Sequence, residues 1–172
     1  SGQTDKHGNA VHLYATDMQS QYTYINEAKK KGYDVLIMDG QFDIHFINHI
    51  EPKLDKVSFK RVDADIVDKL IEKEEEIKST FTEDQENDMR HVFLGPLPKE
   101  KHFGVIFEGL KEEDSPMIIT QSEFMRRMKD MSAMGGGGMG MYGEIPESYN
   151  LIINTNHKIV QRIMEKKDNK VG

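Results

Sequence analysis

The chain is 172 residues long, 37% hydrophobic and 31% charged, with a formal net charge of −7 and neither Cys nor Trp. A chain of this size buries roughly 70% of its unfolded surface, enough for one domain or two small ones. The composition excludes a disulfide scaffold; no apolar run approaches the ~20 residues a bilayer demands, and the acidic balance argues against nucleic acid as a partner.

Ser1-Gly2, with no initiator Met, reads as a cleavage scar, so the chain is taken as an excised fragment with residues 1–8 as scar and linker. No signal peptide follows, and the missing Cys fits a cytoplasmic location. Strand and helix then alternate. Val11–Thr16, Tyr33–Asp39 and Val57–Asp63 read as strands, and Ser20–Lys31, Phe42–Leu54 and Ile66–Lys78 as helices. Gly32 sits where a left-handed residue ends a helix. Such alternation predicts a three-stranded parallel sheet with helices on its faces. The all-apolar run VLIM at residues 35–38 predicts a strand covered on both sides.

The charged run Glu72–Lys78 reads as a solvated helix end, which puts an α/β unit at 9–79 and a second unit at 80–172. Thr82-Glu83-Asp84-Gln85 is a capping box, so a helix begins there and stops at Gly95-Pro96. His102–Leu110 and Met117–Thr120 read as strands. Thr120-Gln121-Ser122-Glu123 is a second capping box, opening a helix that must end at Met134, because each following Gly costs it about 1 kcal/mol relative to Ala. Tyr149–Asn154 and His157–Lys167 read as a last strand and helix. The second unit is thus mixed α+β.

The helix after Ser122 carries a methionine stripe. At 100° per residue, Met128 and Met131 lie within about 40° of Phe124, with Met125 and Met134 flanking and Arg126, Lys129 and Asp130 opposite. An ordinary core face has this period too, but a specified core prefers Leu, Ile and Val, and this helix has no aliphatic residue. Flexible, polarizable Met moulds itself to partners of many shapes. A glycine tract behind it favours a contact element.

Other patterns fail on context. Gly135 to Gly140 satisfies G-x-G-x-x-G, but a helix precedes it and Glu144-Ile145-Pro146 follows, whereas a dinucleotide site needs a strand before and a helix after. His45 and His49 have the spacing of paired zinc ligands. Phe46, however, stands where H-E-x-x-H needs its Glu, and no third ligand is evident. Asp39-Gly40 ends a strand where open α/β sheets place ligands. A phospho-accepting receiver would need an acidic pair after the first strand, and only Asp17 is there; Gln41 breaks D-x-D. No catalytic constellation, metal site or cofactor site is read from this chain.

The residues do carry a family likeness. Leu151-Ile152-Ile153-Asn154-Thr155-Asn156-His157-Lys158-Ile159-Val160 is similar to the L-x-I-N-x-x-H-x-x-V motif of the bacterial HtpG branch of the heat-shock protein 90 family, departing at Thr155 and Lys158, where relatives often have prolines. Lys29–Asp39 resembles the family's K-K-G-x-E-V-L segment, and the order of elements matches from about Gly8 to Lys167. The resemblance implies the end of the middle domain followed by most of the C-terminal domain. It further implies that ATP and Mg²⁺ bind an N-terminal domain outside this chain, and that the full-length protein is a cytoplasmic homodimer. This fragment, lacking the dimerisation helices, would then be mostly monomeric and not an enzyme. It implies contact with unfolded client proteins through the methionine helix (Phe124, Met125, Met128, Met131, Met134) and through the helix bearing His45 and Asn48; relatives carry Trp at the position of His45.

Half-burying five such apolar side chains would contribute roughly 4–7 kcal/mol, most of it offset by the entropy of association. Weak, broad client contacts are expected. The competing reading is an α/β regulatory or enzyme domain with a ligand at Asp39-Gly40, which requires a concave polar pocket there holding a perturbed acid.

Overall fold

The structure, a computed structural model, describes residues 3–73, 77–122, 125 and 148–168. The chain divides into two compact units, Ser1–Glu74 and Glu75–Gly172.

In the first unit, β1 (Ala10–Ala15), β2 (Val35–Ile37) and β3 (Val57–Arg61) form a wholly parallel sheet in the order β2-β1-β3. Leu13 lies opposite Val35, and His12 opposite Phe59. Alternate side chains of β1 go to opposite faces. Val11, Leu13 and Ala15 pack with Ile25 and Ala28 of α1 (Tyr22–Lys30) and with Val67 and Leu70 of α3 (Val67–Leu70). Tyr14, with Phe59 of β3, packs under Ile47 of α2 (Asp43–Ile50). The expected α/β/α layering is what forms.

α1 ends as its sequence predicts. Gly32 has φ of 79°, the Tyr33 amide donates to the Ala28 carbonyl at 3.0 Å, and the Gly32 amide donates to Lys29 at 2.9 Å. This paired closure needs a residue tolerant of left-handed backbone. A 3₁₀ turn, Glu51–Lys53, continues α2, because Pro52 has no N–H for the next α-helical bond.

Two expectations for this unit are corrected. The strand VLIM is not buried on both faces: β2 is an edge strand, with Leu36 43% and Ile37 39% exposed, and the central, covered strand is β1. Of the helix expected over Ile66–Lys78, the described residues form only the four-residue α3. Ile71 leaves helical geometry while its side chain is fully buried, and Glu72 turns to the N-terminal segment, accepting Lys6 N at 2.8 Å and pairing with Lys6 Nζ at 3.0 Å. Within the segment read as scar and linker, Gln3 hydrogen-bonds into this unit. Gln3 accepts Val11 N at 2.8 Å through its backbone carbonyl, and its side chain brackets Asp34, accepting the Asp34 N–H at 3.0 Å and donating to its carbonyl at 2.9 Å.

In the second unit, β4 (His102–Glu108) runs parallel to β6 (Ser148–Asn154), and β5 (Met117–Thr120) antiparallel to β6, in the order β4-β6-β5. α4 (Glu83–Leu94) and α5 (Lys158–Asp168) cover one face. Met89 and Phe93 of α4 and Val160 and Met164 of α5 close on Val105, Phe107, Leu151 and Ile153. The capping box at Thr82 forms in both directions: Thr82 Oγ1 accepts Gln85 N, and Gln85 Oε1 accepts Thr82 N. The second expected capping box, Thr120 to Glu123, runs into residues outside the described ones. Thr120 is the last residue of β5, 2% exposed, and its hydroxyl has no hydrogen-bond partner among the described residues. An architecture of α/β followed by α+β is therefore present, as the sequence implies.

Candidate functional site

The expected contact residues fall in two places. Phe124, Met128, Met131 and Met134 lie outside the described residues, as does the glycine tract; Met125 is half-buried. His45 and Asn48 are both on α2, and both are exposed.

α2 is apolar on more than one side. Ile44, Ile47 and Ile50 recur at helical spacing, and this row faces the sheet, with Ile47 1% exposed. Phe42 and Phe46, four residues apart, fall on the outward side, 73% and 55% exposed. With His45 and His49 they make a stripe at spacings of three and four, and Asn48 stands beside it. A helix carrying both three isoleucines and two phenylalanines in eight or nine residues cannot bury them all against one sheet. That signal was in the sequence, and the two phenylalanines are the contact candidates that sequence reasoning missed.

The N-terminus of α2 is set by Asp43. Its carboxylate accepts Gly40 N at 2.8 Å, tying the turn after β2 to the first helical turn, where a negative charge suits the helix dipole. At the other end, Lys53 Nζ approaches His49 Nε2 at 2.5 Å. The stripe thus sits on a helix whose first turn is tied to the end of β2.

The competing ligand site receives no support from this geometry. Asp39 and Gly40 are exposed at the end of an edge strand, and Asp43 already occupies the Gly40 amide. A surface depression lies instead on α1, lined by Tyr22, Asn26 and Lys29 among others. The carboxyls held below their ordinary range are elsewhere: Asp5, through hydrogen bonds from Asn9; Asp17, through the Ser20 and Gln19 amides; and Glu72, through Lys6. Among the described residues no group of three or more His, Cys, Asp or Glu side chains could hold a metal ion. None of their helices is long and apolar enough to cross a membrane.

The first unit thus presents an unburied aromatic helix face. No protein-family profile matches the chain. It is 44% identical over 164 residues to the chaperone protein HtpG of Porphyromonas gingivalis, and equally to that of Bacteroides fragilis; each alignment covers 94% of this chain and 24% of the relative. Against HtpG of Bacteroides thetaiotaomicron the identity is 40% over 168 residues. The chain is related along nearly its whole length to a segment of the HtpG chaperones, and spans about a quarter of the length of these curated relatives.

Proposed function

We propose that this chain is a non-catalytic segment of an ATP-dependent molecular chaperone, and that it supplies surface for unfolded or partly folded client proteins. The observation that carries the reading is the outward face of α2. There Phe42 and Phe46 remain in water beside His45 and Asn48, on a helix whose opposite row packs against the sheet. Large aromatics left exposed on a rigid element mark a surface that gains by being covered. Half-burying the two rings would contribute roughly 1.5–3 kcal/mol in all, so each contact is weak and reversible. The methionine helix would add a second, more adaptable patch through Phe124, Met125, Met128, Met131 and Met134.

In this reading nucleotide chemistry belongs to the whole protein: ATP and Mg²⁺ bind an N-terminal domain of the full-length chaperone, a cytoplasmic homodimer, and not this segment. The units correspond to the distal part of a middle domain, through residue 79, and to a C-terminal domain from residue 80. The segment alone is mostly monomeric and binds neither nucleic acid nor membrane.

The test is titration of the 172-residue chain with a permanently unfolded polypeptide, reduced and carboxymethylated α-lactalbumin. Binding that weakens about fivefold or more in Phe42→Ser/Phe46→Ser, with the melting midpoint unchanged, is the expected result. No saturable binding by the unmodified chain would overturn the proposal.

A further inference from the structure

The edge strand β2 has an unused hydrogen-bonding side. Met38 N donates to Ala15 O at 2.8 Å, and in a parallel ladder only alternate residues face the same neighbour. Leu36 and Met38 therefore face β1. Asp34, two residues earlier, is held on that same side by Gln3. Val35 and Ile37 direct their N–H and C=O groups to the outer edge, where no described residue partners them.

Proteins blunt such an edge with lysine, proline or a bulge. β2 has none of these: its three residues are Val35, Leu36 and Ile37. Leu36, opposite Tyr14, lies on the α2 side of the sheet; Ile37, opposite Ala15, lies on the α1 side. Both are more than a third exposed, so apolar surface flanks the open edge above and below. Exposed carboxylates, Asp34 and Asp39, bracket the strand. Of the lysines ahead of it, Lys30 and Lys31 are paired with Glu27 and Asp68.

We infer that the outer edge of β2 takes up an extended, apolar, cation-flanked polypeptide segment as a fourth strand of the first sheet. Only polypeptide backbone matches alternating amide and carbonyl groups along an edge. Alternate apolar side chains of that segment would meet Leu36 on one face and Ile37 on the other, and lysines or arginines at its ends would meet Asp34 and Asp39. This inference rests on the client-binding reading and names the form in which a client is held. The strand is short, so the register is brief and release is rapid.

The test uses the 172-residue chain and a soluble peptide of about twelve residues, with an alternating Val/Ile/Leu centre and two lysines at each end. The expected result is saturable binding that slows hydrogen exchange at the Val35 and Ile37 amides. Ile37→Pro removes only an outward donor and leaves the β1 ladder intact. It should weaken binding about tenfold or more, while Ile37→Ala weakens it less than about threefold. The same peptide N-methylated at alternate amides should fail to bind the unmodified chain, an outcome independent of how Ile37→Pro folds. Glutamates in place of the terminal lysines should weaken binding at low salt. Equal binding of the N-methylated peptide, or unchanged exchange at Val35 and Ile37 in a saturated complex, would overturn this inference. The client-binding reading would then still stand if Phe42→Ser/Phe46→Ser lost unfolded α-lactalbumin. If neither peptide nor unfolded α-lactalbumin bound, both would fall.

Discussion

The backbone N–H of Leu110 donates to Oδ1 of Asn154, 3.2 Å away and 44 residues later, in a bond sealed from solvent. The same oxygen accepts Asn156 N at 3.1 Å, and Asn154 Nδ2 donates to the Lys111 carbonyl at 2.8 Å. Donor and acceptor ends of one buried amide thus join the turn after β4 to the end of β6, a demand that neither Asp nor Leu can meet. Asn154→Ala should cost about 2–4 kcal/mol, since it strands a buried N–H and a carbonyl. Asn154→Asp should cost more at neutral pH, where a carboxylate would face the Lys111 carbonyl. Urea melts of both variants check this. Equal stability of Asn154→Ala and the unmodified chain would remove the assignment.

Around that amide lies a further close approach. A Cβ on Gly109 would sit 2.4 Å from the Lys78 carbonyl carbon and 2.5 Å from the Ile77 oxygen. Both are backbone, held there by Asn156 Nδ2, which donates to Lys78 O at 3.2 Å, and by Thr80 Oγ1, which donates to Thr155 O at 2.8 Å. Gly109→Ala should therefore destabilise the second unit by about 2–3 kcal/mol, at the upper end of overpacking costs. Its thermal transition is the measurement.

These two positions show what was legible in the sequence. The motif residues 151–160 were readable as strand and helix, as were the parallel sheet, the capping box at Thr82 and the stop at Gly95. All depend on local period or local chemistry. Three-dimensional order was not readable. β2 looked central because VLIM is apolar, yet strand order depends on where each crossover lands, and β1 took the middle. The helix after Ile66 was overextended because Ile71 gains more from the core, and Glu72 from Lys6, than either would from another helical turn. Of the candidate site, His45 and Asn48 came through resemblance, while Phe42 and Phe46 became visible only when the isoleucine row was seen to fill the sheet side.

Thr120 gives a prediction of opposite sign. Its hydroxyl is buried and has no partner among the described residues, so its burial carries a desolvation cost without a hydrogen bond from them in return. Thr120→Val keeps the shape and should be neutral or stabilising by up to about 1 kcal/mol. A loss of more than about 1 kcal/mol in denaturant melts would mean that the hydroxyl is satisfied in solution.

Acid should loosen the first unit. Asp5, Asp17 and Glu72 are held low by Asn9, by the Ser20 and Gln19 amides, and by Lys6 respectively. A carboxyl depressed in the folded state stabilises above its unfolded pKa of about 4. That stability is lost as pH falls through the lower, folded value. Lys158 works the other way: Glu112 raises it, so its contribution disappears only as pH climbs past the ordinary lysine range. Carboxyl titrations followed by NMR should place the three acids below their peptide counterparts, and Lys6→Met should move Glu72 back up. An unmoved Glu72 in Lys6→Met would disprove the pairing.

The methionine stripe is decided by comparing stability with binding. Ile47, 1% exposed beneath α2, sets the internal scale: Ile47→Ala should cost about 2–5 kcal/mol, as a filled core position does. If Met128 and Met131 form a client surface, Met128→Ser and Met131→Ser should each change stability by less than about 0.5 kcal/mol, as exposed sites do. Both should still weaken binding of unfolded α-lactalbumin, and their effects should add to those of Phe42→Ser and Phe46→Ser, provided the two patches act independently. If the stripe is packed core, each serine creates a cavity and buries a hydroxyl, and the cost rises to several kcal/mol. Urea melts of the Met128→Ser/Met131→Ser double variant, run beside Ile47→Ala, distinguish the two cases: a loss as large as that of Ile47→Ala would remove the methionine helix from the client surface and leave α2 to carry it.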